Sequence, residues 1–83
     1  MVSVSLSAGA LRDLQKIDPT IATRIIEKIM WLEKNFADIM PEPLHRELKG
    51  SQKLRVGDYR VVYSVRGNVI IVEMVGHRRD VYK

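Results

Sequence analysis

The sequence predicts one α+β domain in which a helical hairpin packs on one face of a small, mostly antiparallel sheet. Apolar residues alternate with period two near the N-terminus and again after Gly50, whereas helical spacing dominates between these regions. Glycine and proline separate the segments. The 83 residues suffice for a single domain over residues 1–83, and a 46% apolar fraction can supply its core. The predicted order is β-α-α-β-β-β.

The first half of the chain predicts an edge strand followed by two helices. Val2–Leu6 alternates apolar residues with serine, which is typical of a half-buried strand. Ser7 can cap a short first helix. A long amphipathic helix then covers Pro19–Ala37, because Asp18 can cap it and Pro19 suits the first helical position.

The second half predicts a three-stranded meander. Pro41 and Pro43 forbid continuation of the helix and indicate a linker. The predicted strands and the turns between them are Lys53–Val56, Gly57-Asp58, Tyr59–Val65, Gly67-Asn68 and Val69–Val75.

The positive charge lies in the second half of the chain. The net charge is +4, and residues 44–83 hold nine basic side chains against four acidic ones, whereas residues 1–43 hold five against six. This asymmetry indicates a polyanionic partner, with nucleic acid as the leading candidate.

Composition also excludes several classes of protein. The chain has no cysteine and two histidines far apart, so we expect no disulfide, no thiolate nucleophile, no metal site and no cofactor. No apolar run approaches the roughly 20 residues of a membrane span. The N-terminus lacks the basic and apolar regions of a secretory signal, so a cytoplasmic protein is expected.

Strand alternation predicts a cationic cluster on the sheet face away from the helices. The more apolar residues of the central strand, from Tyr59 to Val65, should meet the helices, so Arg60 projects from the open face. The meander brings other basic and aromatic residues beside it, namely Lys53, Arg55, His77, Arg78, Arg79 and Tyr82.

Such a cluster could cleave RNA by attack of a 2′-hydroxyl on the adjacent phosphate. The reaction needs a base for the hydroxyl proton, cations for the pentacoordinate phosphate and an acid for the leaving 5′-oxygen. A lysine becomes a useful base when neighbouring cations lower its pKa, arginine binds phosphate bidentately, and an aromatic ring can stack on an unpaired base.

The same residues also have structural interpretations. Lys53 and Arg55 can guard a strand edge, and Arg60 can pair with Glu73 across the sheet. His77 can be a turn residue. Arg78 and Arg79 can form a basic tail, and Tyr82 can pack over the sheet.

Three ordered blocks resemble the RelE/ParE toxin superfamily, and its RelE branch most closely. They are Leu48-Lys49-Gly50, the run from Leu54 to Tyr63, and the run from Val75 to Tyr82. Together with the Ser7-to-Pro19 stretch they extend the resemblance over essentially the whole chain.

This resemblance implies the toxin of a type II toxin–antitoxin pair. Such a protein is a ribosome-dependent endoribonuclease that cleaves mRNA in the A site, needs no metal or cofactor, and is held inactive by a RelB-like antitoxin. Operator DNA would be contacted only through the antitoxin complex. By the same resemblance, Lys53 belongs to the cleavage site, Arg60 stabilises the phosphate and Arg78 protonates the leaving oxygen. Tyr82 stacks on the nucleotide or helps to activate it.

One position departs from the pattern of the family. A second lysine, proposed as the base, is expected two residues before Lys53, where this chain has Ser51. Lys49, His77 or Tyr82 could take that role. Two alternatives to the nuclease remain, namely a ParE-type poison of DNA gyrase and an inactive member that binds nucleic acid.

Overall fold

The computed structural model describes residues 2–39 and 51–77, which form an α+β fold in the predicted order. The elements in this part of the chain are β1 (Ser3–Leu6), α1 (Ala8–Lys16), α2 (Pro19–Ile39), β2 (Gln52–Val56), β3 (Tyr59–Arg66) and β4 (Val69–His77). The predicted boundaries agree within two residues. The linker at Pro41 and Pro43 lies outside the described residues.

Both predicted helix caps form. The Ser7 hydroxyl accepts the Ala10 N–H at 3.0 Å, which satisfies a donor in the first turn of α1. The Asp18 carboxylate accepts the Thr20 N–H at 2.9 Å, at the start of α2. Among the described residues, no helix is long and apolar enough to cross a membrane.

The four strands form one mixed sheet in the order β1-β4-β3-β2. β1 is an edge strand, as predicted, and pairs parallel with β4, whereas the other two pairings are antiparallel. On its outer side the Val4 N–H of β1 donates to the Glu33 carboxylate of α2 at 2.9 Å. A charged side chain at this position protects the strand edge.

The two hairpin turns depend on glycine. Gly57 and Gly67 each have a φ of 59°, a conformation that costs other residues energy because their Cβ approaches the backbone. In both turns glycine is the first of the two central residues, which matches the glycine position of type II′ hairpins.

The helices pack on one face of the sheet and bury the core there. From β3, Val61 and Val65 face the helices; Val61 packs with Leu14, Ile25 and Ile29, and Val65 packs with Leu32 and Phe36. Tyr59 and Tyr63 contact the same core from its margin. The parity predicted for the central strand is therefore confirmed.

A β-bulge interrupts the pairing of β3 with β4. Val62 pairs with Met74, but Tyr63 pairs with Val72, so Glu73 has no register partner. The extra residue reverses the alternation of β4. Val72 and Val75 consequently both face the helical core, three residues apart.

Candidate functional site: a cationic sheet face

Lys53, Arg55 and Arg60 share the sheet face opposite the helices, as predicted, and we call them the cationic face. Lys53 pairs with Val62 and Arg55 pairs with Arg60, whereas the intervening Leu54 packs against the helical core. Lys53 and Arg55 are exposed. They lie two residues apart, which is roughly 7 Å along the strand.

Arg55 and Arg60 are like charges placed directly opposite each other. Side chains at opposed positions of an antiparallel pair have Cβ atoms roughly 4.5–5.5 Å apart, and like charges there repel. A polyanionic ligand would relieve this repulsion.

Arg60 does not project from the sheet as predicted but folds back onto the β2–β3 turn. Its Nη1 donates to the Tyr59 carbonyl at 3.0 Å and to the Gly57 carbonyl at 3.3 Å. Only 9% of its surface is exposed. Backbone carbonyls thus hold the guanidinium in one orientation. The register partner of Arg60 in β4 is Gly76, which has no side chain to compete for this space.

His77, the last residue of β4, lies beside Tyr59. The two are register partners, and their rings meet edge to face with centroids 5.5 Å apart and planes at 78°. Tyr59 contacts the helical core, so this pairing places the imidazole with Tyr59 and away from the cationic face. A contribution of His77 to proton transfer stays a prediction.

Ser51 and Glu73 form a polar contact next to the cationic face. The Ser51 hydroxyl donates to the Glu73 carboxylate at 2.9 Å. Glu73 is the bulge residue, and its carbonyl accepts the Ser7 hydroxyl at 2.9 Å. The sequence predicts Glu73 as a partner for Arg60, whereas the structure places it at the bulge; an acidic residue inside an apolar strand is the sequence signal for this irregularity.

The remaining predicted site residues lie outside the described part of the chain. They are Lys49, Arg78, Arg79 and Tyr82. Within residues 2–39 and 51–77, no cluster of three or more metal-binding side chains is arranged to hold a metal ion.

The chain is similar to toxins of toxin–antitoxin systems. The family described as the ParE toxin of the type II toxin–antitoxin system, parDE, matches residues 4–82. The chain belongs to this family, and it is a RelE-like toxin of a type II system.

Relatives from Mycobacterium tuberculosis carry the same resemblance. Toxin RelE is 35% identical over 87% of this chain and 74% of its own length. Toxin RelG is 32% identical over 98% of this chain and 95% of its own length. A crystal structure of the RelBE2 toxin–antitoxin complex contains a chain with 29% identity and a TM-score of 0.62, covering 93% of this chain and 98% of that one.

Proposed function

We propose that this toxin is a ribosome-dependent endoribonuclease that cleaves mRNA in the A site and so stops translation. The observation that carries the proposal is the Arg60 guanidinium, held by two carbonyls on a sheet face that also bears Lys53 and Arg55. Relatives named RelE and RelG support the nuclease class.

The chemistry requires only the RNA and protein side chains. The 2′-oxygen attacks the adjacent phosphorus and loses its proton to a base, the bond from phosphorus to the 5′-oxygen breaks, and that oxygen receives a proton. The products are a 2′,3′-cyclic phosphate and a 5′-hydroxyl. Arg60 stabilises the charge that develops on the phosphoryl oxygens, because a fixed donor needs no reorganisation when the charge appears.

The other steps are assigned to neighbouring residues. Arg78, which directly follows β4 in the sequence, supplies the proton to the leaving oxygen, while Arg55 and Arg79 bind the RNA backbone. Tyr82 stacks on the nucleotide. The base is Lys53, or one of Lys49, His77 and Tyr82.

The ribosome supplies the orientation of the substrate. Orientation of reacting groups can account for roughly 7–11 kcal/mol of a barrier. The free protein should therefore cut naked RNA very slowly.

The partner that inactivates this toxin is a RelB-like antitoxin in the cytoplasm. A similar solved structure is a complex of RelE with RelB. The antitoxin should be acidic where it meets the basic half of the chain, so its binding should weaken with salt. Operator DNA is contacted through the antitoxin complex.

Mapping of mRNA 5′ ends after incubation with translating ribosomes tests the proposal. We expect new ends within the A-site codon, and no comparable cutting without ribosomes. Intact mRNA would refute the nuclease.

A second candidate function, poisoning of DNA gyrase, is favoured by the ParE description of the matching family. A supercoiling assay with purified gyrase tests it. Inhibition of supercoiling together with intact mRNA on ribosomes would establish this alternative, whereas cleaved mRNA with unaffected gyrase would exclude it.

A further inference from the structure

Helix α1 takes the place of an edge strand along the second half of β4. β1 pairs with β4 only as far as Leu6 and Val72, and the Ser7 N–H then donates to the Val72 carbonyl at 3.0 Å. Beyond this point the edge of β4 has no strand beside it in the described sheet. α1 begins at Ala8 and packs there.

Polar contacts join α1 to β4 at and after the bulge. The Ser7 hydroxyl donates to the Glu73 carbonyl at 2.9 Å, and Asp13 Oδ2 accepts the Val75 N–H at 3.0 Å. The approach is close, since a Cβ on Gly9 would lie 3.5 Å from the Glu73 carbonyl oxygen.

The contact of Asp13 fixes the segment of β4 that follows the bulge. Val75 is 3% exposed, so its N–H depends on a protein acceptor. The next residue, Gly76, is the register partner of Arg60. With or without the bulge, opposite sets of side chains in the following segment would face the helices. The Asp13 carboxylate, which binds the Val75 N–H, stabilises one of these two orientations.

We propose that Asp13 is a positioning residue for the cationic face. Its carboxylate holds Val75, and thereby Gly76, in the register that places Gly76 opposite Arg60. Asp13 lies on α1 and its carboxylate binds the backbone of Val75, so it acts through the end of β4. Its effect on cleavage rests on the proposed nuclease function, whereas its effect on strand register does not.

Three variants separate positioning from general stability. Asp13→Ala removes the acceptor, and Asp13→Asn keeps a side-chain oxygen that can accept the same N–H. The matched control is Asp18→Ala, which also removes a carboxylate that accepts a backbone N–H, here that of Thr20 at the start of α2.

The first measurement is the single-turnover rate of mRNA cleavage at saturating toxin on programmed ribosomes. Small misplacement of reacting groups can reduce a rate by about 100-fold. We expect a loss of about 10- to 100-fold for Asp13→Ala, most of the rate for Asp13→Asn, and the rate of the natural sequence for Asp18→Ala. Equal losses for Asp13→Ala and Asp18→Ala would overturn the proposal, as would a loss in Asp13→Asn as large as in Asp13→Ala.

The second measurement, hydrogen exchange at individual amides of the full chain, does not require activity. In Asp13→Ala, the Val75 and Gly76 amides should exchange at least about tenfold faster than in Asp18→Ala, and the Arg60 Nε–H resonance should shift. Unchanged exchange at both amides would overturn the proposal. If the natural sequence cuts no mRNA, the nuclease function fails, and the exchange comparison alone decides the role of Asp13.

Discussion

Replacement of Arg60 by alanine tests whether this guanidinium acts in the chemical step or only attracts RNA. Two backbone carbonyls hold it before substrate arrives. Removal of such a preorganised donor costs roughly 3–4 kcal/mol of transition-state stabilisation, which is about 10²–10³ in rate. A charge that only promotes docking would change affinity for the ribosome and its salt dependence instead.

Arg60→Ala should leave the fold intact, so that the rate can be interpreted. The two carbonyls named above are those of Gly57, in the β2–β3 turn, and Tyr59, the first residue of β3. Gly57 is exposed, so water can replace the guanidinium there. The substitution also removes the like-charge opposition between Arg60 and Arg55. We therefore expect the free energy of unfolding to fall by about 1–3 kcal/mol, the range for a hydrogen bond that involves a charged group, and urea titration of the variant measures this loss.

The assay combines single-turnover cleavage with ribosome binding at two salt concentrations. Arg66→Ala is the matched control, because Arg66 is exposed and lies on the same strand and face, roughly 20 Å away. We expect Arg60→Ala to bind ribosomes nearly normally and to cut about 10²–10³ more slowly, while Arg66→Ala cuts nearly normally. Equal losses in the two variants would show that bulk charge, and not a site, accounts for the activity.

Three further predictions concern stability. Gly57→Ala and Gly67→Ala should each lower the free energy of unfolding by about 1 kcal/mol in urea titrations, because both glycines have a φ of 59°. A Cβ at either position would meet nothing within 4 Å, so the loss would come from the backbone conformation and not from a clash. No loss in either variant would contradict this origin. Phe36→Ala should cost about 3–5 kcal/mol, since Phe36 is fully buried, whereas the control Trp31→Ala, at a position 42% exposed, should cost much less in the same titrations. Burial raises the pKa of the Tyr63 phenol above its ordinary value of 10.0, so the folded state holds this proton more tightly than the unfolded state does. The resulting stabilisation is complete below pH 10 and is lost as the pH rises through the raised pKa; Tyr63→Phe should show a shallower alkaline loss of stability, and identical pH profiles would refute this origin.

Local patterns in the sequence were sufficient to predict the elements and the orientation of the central strand. Ser7 and Asp18 cap helices through N–H groups two or three residues away, so adjacent residues carry the whole signal. The same holds for the alternation of β3, which placed Arg60 opposite the helices. The position of Arg55 on the same face follows from the pairing of the short β2–β3 hairpin.

The geometry of the candidate site was decided by contacts between residues far apart in the chain. Asp13 and Val75 are separated by 62 positions, and Ser7 and Glu73 by 66. The sequence predicts a regular last strand, which would place His77 with the basic residues. The bulge at Glu73 reverses the alternation and turns His77 toward Tyr59.

The sequence by itself determined the fold class, the helix caps, the glycine turns and the face of the sheet on which the cations lie, because each of these follows from residues close together along the chain. Only the tertiary structure decided that Arg60 lies folded back on the β2–β3 turn and that Gly76 stands opposite it. The physical reason is that packing between distant segments determines where the bulge forms and how α1 binds the edge of β4. Helix α1 packs against β4 and satisfies the buried N–H of Val75 through Asp13. The alternation of residues along a single strand carries no information about that contact.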